Sequence, residues 1–163
     1  MGANLLGTRI RTLLSATAAL FLVMPRLAAQ SADSAPPLQW FTAPALFPRG
    51  ANLALISGDP LRPGPFSALL SLPDGYKMPP HFHTTDEHVE VKQGSFLVGM
   101  GDKMDLKKTR AMTVGDTATA PAGMHHYAAA KGATIVSVTA TGPYVMTYVH
   151  SEQEPWRPFP FNY

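Results

Sequence analysis

The 163-residue chain contains no cysteine. That absence excludes disulfides, thiolate metal ligands, a cysteine nucleophile and a lipid-modified cysteine anchor. Charge is scarce as well: Asp, Glu, Lys and Arg make up 15% of the residues, against about 25% in ordinary soluble domains. The one basic stretch, Lys103, Lys107, Lys108 and Arg110, is interleaved with Asp102 and Asp105 and reads as a solvated loop between strands. No serine sits in a Gly-x-Ser-x-Gly turn, and no glycine-rich loop leads into a helix that could cradle phosphate. Long apolar runs are lacking too. The longest, Leu13 to Met24, falls well short of the roughly 20 residues a helix needs to span a bilayer.

That run is informative for its flanks. Arg9 and Arg11 precede it, and Leu27-Ala28-Ala29 followed by polar Gln30 to Asp33 close it. This is the layout of a secretory signal peptide, residues 1–29, cleaved after Ala29. A small, polar linker (30–37) follows. The expected location is therefore periplasmic or secreted, with no membrane association after cleavage. Ile10 separates the two arginines, so the signal is not of the twin-arginine kind; the chain is expected to cross unfolded and to load metal outside the cytoplasm. Losing Arg9, Arg11 and Arg26 takes Lys and Arg from 13 to 10 against 11 acids, a net charge of −1. The pI of about 9.0 thus belongs to the targeting segment and implies no nucleic-acid partner.

Proline (16) and glycine (13) are plentiful, which suits short strands joined by tight turns. Strand-length apolar runs span Asn52 to Ile56, Phe66 to Leu72, His88 to Lys92, Ser95 to Met100, Thr117 to Ala120, Ile135 to Ala140 and Tyr144 to His150. Turn residues separate them, among them Pro73-Asp74-Gly75, Gln93-Gly94 and Gly101-Asp102. Regular spacing of this kind predicts an all-β sandwich or barrel. No helix is expected after the signal peptide. The tail (151–163), with Trp156 and three prolines, is expected to pack across a barrel face or a subunit neighbour.

Histidine is where the sequence becomes specific. One segment reads Gly75, five residues, His81, one residue, His83, three residues, Glu87, six residues, Gly94. A second reads Gly115, five residues, Pro121, one residue, Gly123, two residues, His126. Residues two apart on a strand share a face, so His81 and His83 point one way and Phe82 the other. On the following strand Glu87, Val89 and Val91 share a face opposite His88, Glu90 and Lys92. A carboxylate buried beside two valines costs several kcal/mol unless a cation or proton accompanies it. Pro121-Ala122-Gly123 makes a turn that can bring His126 back to the same interior point. His125 then points away, and His88 and His150 read as surface residues. Tyr76, Met78, Phe96, Tyr127, Tyr144, Met146 and Tyr148 are candidates for a pocket lining, although such residues on strands are more often plain core.

The two segments resemble the paired motifs of the cupin superfamily at every fixed position except the last, where a frequent Asn four places after the final His is Ala130 here. The likeness covers roughly Leu38 to His150, and phrases such as Pro79-Pro80-His81 and Pro121-Ala122-Gly123-Met124 are similar to those of small single-domain bacterial cupins. It implies a double-stranded β-helix, or jelly-roll, barrel over residues 38–150 and one divalent transition metal ion on His81, His83, Glu87 and His126. Such a shell suits Mn, Fe, Co, Ni, Cu or Zn. Loading after export favours Zn or Cu over Fe, Mn or Ni by the stability order. What the fold does is not fixed by the fold. The leading expectation is a metal-dependent oxygenase acting on a small phenolic or enolic molecule, with Glu87 as ligand and proton acceptor. A non-catalytic metal or small-ligand binding cupin is the alternative, as is an isomerase or decarboxylase. A small-molecule ligand and a second copy in a homodimer are the expected partners, the latter testable by light scattering.

Overall fold

A computed structural model describes residues 37–155. The segment expected to be a signal peptide, the expected linker before Pro37 and the tail from Trp156 lie outside the described residues. Nine strands follow one another: β1 (Phe41–Thr42), β2 (Asn52–Ser57), β3 (Gly64–Leu72), β4 (Lys77–His83), β5 (Glu87–Met100), β6 (Arg110–Met112), β7 (Thr117–Ala120), β8 (His126–Gly142) and β9 (Met146–Tyr148). Helical structure among the described residues is limited to two single 3-10 turns, Leu106–Lys108 and Ser151–Gln153.

All pairing is antiparallel, in the order β1-β2-β3-β8-β4-β9, and β5 joins β8 to β6 and β7. Strand β8 is shared: its C-terminal half pairs with β3, its N-terminal end pairs with β4, and β5 runs along most of its length. The sheet curls because β5 and β8 each bend at a glycine, Gly94 and Gly132, both at φ +76°. The register of the β5–β8 pair shifts there, between Val91 and Ser95. A positive φ is nearly free for glycine and costly for other residues, so these positions turn a strand without ending it.

Alternation decides which side faces in. Along β3, Phe66, Ala68, Leu70 and Leu72 are buried while Ser67, Leu69 and Ser71 are only partly so. Along β5, Val89 and Val91 are buried and flank the half-exposed Glu90, as the pleat requires. Val91, Val136 and Met112 are essentially inaccessible and centre the core. Each such side chain contributes roughly 1.5–3 kcal/mol by leaving water.

Several sequence expectations need correction. The turn chemistry at Gln93-Gly94 does not separate two strands; it produces the bulge inside β5. The run Ile135 to Ala140 is one part of the much longer β8, whose first residues are alanine-rich and lack β-branching. Tyr144 to His150 yields only the three-residue β9. The loop from Lys103 carries a 3-10 turn and then β6.

Candidate metal centre

The chain's register brings the motif residues to one end of the barrel. His81 on β4 is the cross-strand partner of His126, the first residue of β8, and on its other side of Tyr148 on β9. His83, two residues on, pairs with Met146. Glu87 begins β5 between Ala120 and Ala140, small neighbours that leave the carboxylate room. Turn Pro121–Met124 closes through Met124 N to Pro121 O at 3.0 Å, and Gly123 N donates to His83 O at 2.8 Å. The turn that delivers His126 is thereby stitched to the strand that carries His83.

His81, His83 and His126 are each at most 4% exposed. They offer one ring nitrogen each, and these atoms all lie within 4.8 Å of one another, a set that can hold a metal ion. Glu87 Oε2 lies 3.3 Å from His126 Nε2 and 3.7 Å from His83 Nε2. Tyr144 Oη donates to the other oxygen, Glu87 Oε1, at 2.6 Å and sits 3.0 Å from His83 Nε2, its ring stacked on that imidazole at 4.4 Å. One carboxylate oxygen is thus taken by tyrosine, and the other faces the histidines.

The donor set fits a cation on three counts. His81 Nδ1 lies 2.7 Å from Pro79 O, and His126 Nδ1 lies 2.9 Å from Met124 O. A carbonyl only accepts, so each Nδ1 carries the proton and each Nε2 presents a lone pair, the tautomer that metal-ligating histidines adopt. Second, His126 Nε2 is buried with no well-formed hydrogen bond and faces the Glu87 carboxylate at 3.3 Å, an unfavourable condition for a lone pair unless a cation lies between them. Third, the rings cannot all be protonated together. Burial, then the neighbouring His126 and His83, push His81 down to about 3. Burial also lowers His83, against the pull of Glu87. In His126 burial is outweighed by the Glu87 carboxylate, which lifts it above the ordinary value. Burial alone would raise Glu87, but His126, His83 and Tyr144 hold it down near about 2. The centre is therefore a carboxylate among mostly neutral imidazoles.

Above these residues lies a cavity of about 60 Å³ whose wall includes Tyr76, Met78, Phe96, Tyr144 and Met146, with Phe47 contributed from the segment before β2. That segment is tied down by two tyrosines: Tyr76 Oη donates to Pro48 O at 2.9 Å and Tyr148 Oη to Leu46 O at 2.8 Å.

No protein-family model matches the sequence, and no curated protein matches it. Solved structures do. The polyketide cyclase RemF from Streptomyces resistomycificus is 15% identical, over 73% of this chain and 84% of that chain, with a TM-score of 0.61. An RmlC-like cupin from Shewanella frigidimarina is 16% identical, over 64% of this chain and 83% of that chain, with a TM-score of 0.51. The chain has the cupin fold. A salicylate 1,2-dioxygenase from Pseudoaminobacter salicylatoxidans, solved with gentisate, is 14% identical over 60% of this chain but only 28% of that chain, with a TM-score of 0.51. At these identities the likeness concerns the fold.

Within this cupin fold the remaining histidines stand apart from the triad. His125 points away, paired with Asp102 Oδ1 at 2.6 Å and stacked on Phe82 at 5.0 Å. Exposed His88 Nδ1 meets Thr119 Oγ1 at 2.8 Å, and half-buried His150 Nε2 meets Asp102 O at 2.8 Å. Ala130, the departure from the motif, is buried core, and its backbone pairs with Gly75 and Tyr76. Of the aromatic candidates, Tyr127 and Tyr148 do not line the cavity. Tyr144, one of those candidates, does line it, but its bond to Glu87 was not read from the sequence. Its position after Gly142-Pro143, eighteen residues beyond His126, offers no spacing signal that separates it from other strand tyrosines.

Proposed function

We propose that this chain is a metal-dependent oxygenase acting on a small phenolic or enolic molecule, with one divalent ion held by His81, His83, His126 and Glu87. The observation that carries this reading is the convergence of three buried imidazoles and a carboxylate on the floor of an apolar cavity. The gentisate bound by the dioxygenase neighbour is a phenol, which favours the same substrate class. An Fe, Cu, Mn or Ni ion would supply the redox chemistry that dioxygen needs, which Zn lacks. The chain's own residues do the rest. Apolar walls exclude water and so strengthen every charge interaction within. Glu87, ionised and oriented by Tyr144, accepts the substrate hydroxyl proton through Oε2.

A non-catalytic metal-binding cupin is the second reading, favoured by the smallness of the cavity. Metal content of the wild type beside His126→Ala and Glu87→Ala separates them from a metal-free fold. We expect one ion per chain, lost in His126→Ala. Oxygen uptake with a panel of phenols and enols then divides the two: uptake no greater than in chelator-treated protein means binding without turnover. Export through residues 1–29 belongs to the same proposal, and a mature protein that still begins before Gln30 would refute it.

A further inference from the structure

The wall of the cavity differs in character from its floor. Leu70, Val89, Phe96, Val136 and Val138 line it, and no lysine or arginine does. Its hydroxyls are engaged already: Tyr76 with Pro48 O, Tyr144 with Glu87, and Thr119 at the rim with His88. Lys108 and Arg110 line a separate groove that shares Val98, Met100, Ala118 and Thr119 with the cavity, and Arg110 Nη2 donates to Thr117 O at 2.9 Å. Nothing in the wall is placed to neutralise an anion.

A charge count follows. Three neutral imidazoles, one carboxylate and a divalent ion leave a single positive charge. A ligand bringing one negative charge cancels it. A second negative charge would be buried beside aliphatic side chains without a partner, which costs several kcal/mol. The free space above the floor is small, about 60 Å³, which favours compact ligands.

We propose that the site selects compact ligands that bring one negative charge to the metal and are otherwise apolar, such as a β-diketone bound as its enolate, and rejects dianions. The enol proton passes by way of Glu87 to solvent on binding, so the carboxylate is ionised again in the complex. The proposal rests on the metal-centre reading above and deepens it by naming the charge class of the substrate.

Acetylacetone and malonate make a matched pair. Both have an O–C–C–C–O skeleton of similar size, and malonate exchanges the two methyl groups for oxygens and carries two negative charges. Elemental analysis of the loaded protein comes first; a chain that binds no ion refutes the metal reading and this proposal with it. Calorimetric titration of the loaded protein is then expected to show acetylacetone bound at least about tenfold more tightly than malonate, a difference of about 1.4 kcal/mol. Met100, 52% exposed and paired with His126 in the β5–β8 register, lines the cavity at its mouth. Met100→Lys should tighten malonate several-fold with metal content unchanged, and Thr119→Lys on the same rim serves if that variant does not fold. Malonate bound as tightly as acetylacetone, a preference untouched by either lysine, or loaded protein that takes neither ligand would overturn the charge assignment while leaving the metal reading in place.

Discussion

Tyr144 holds Glu87 by one oxygen, and that single contact decides which oxygen the histidines meet. Burial, then the Glu87 charge, raises the phenol well above its ordinary range, so it donates and does not compete as an anion. Tyr144→Phe frees Oε1 while keeping the ring stacked on His83. Partners of this kind typically account for a ten- to hundredfold effect on metal affinity. We therefore expect the variant to bind metal about tenfold more weakly in competition with a chelator at fixed pH. A lower melting temperature with unchanged metal affinity would mean that the tyrosine only packs. At this scale the neighbourhood of His81, His83, Glu87 and His126 was legible because strand alternation and a Pro-x-Gly turn are local signals. Tyr144 was not, since its role depends on where a loop returns after β8, and no local pattern records that.

Strands β5 and β8 show what turn chemistry can and cannot say. Gly94 and Gly132 carry the composition of strand ends, yet both lie inside long strands whose pairing resumes after them. Composition marks where the backbone leaves the pleat; whether the chain then reverses or continues depends on hydrogen bonds to β8, which sequence alone does not display. Short runs bounded by real reversals, such as Thr117–Ala120 before Pro121, were legible to the residue. Gly99 has a different constraint. A Cβ there would fall on the ring of Tyr127, which is nearly inaccessible and whose hydroxyl donates to Asp105 O at 3.0 Å. Gly99→Ala should therefore destabilise the fold by about 1–3 kcal/mol through overpacking. Urea unfolding checks this, and a midpoint equal to that of wild type would contradict the tight contact.

Stability of the whole domain should depend on pH and metal together. In the metal-free protein His81 has a folded value of about 3 against 6.5 unfolded, so the unfolded chain takes up a proton that the folded one refuses. The stabilisation is complete above pH 6.5 and is lost as pH falls toward 3, at up to about 1.4 kcal/mol per pH unit. Glu87, near about 2 against 4.5, acts in the same sense below pH 4.5. His126, raised by Glu87, acts oppositely: its contribution is present below 6.5 and fades as pH rises through its folded value. Between pH 7 and 4 the melting curve of loaded protein should start above that of chelator-treated protein, where a bound ion adds about 2.7 kcal/mol at a hundredfold excess over its dissociation constant, and converge on it as pH falls, because protons compete with the ion for the same rings. Parallel curves would argue against an ion on these rings.

The hydroxyl of Tyr148 reaches Leu46, 102 residues earlier, while Tyr144 and Met146 complete the wall. The earliest and latest parts of the described domain therefore meet over the same chamber. A nascent chain still awaiting its final strand has the histidines but no roof, so ion capture into a dry, shaped site must follow synthesis of nearly the whole polypeptide.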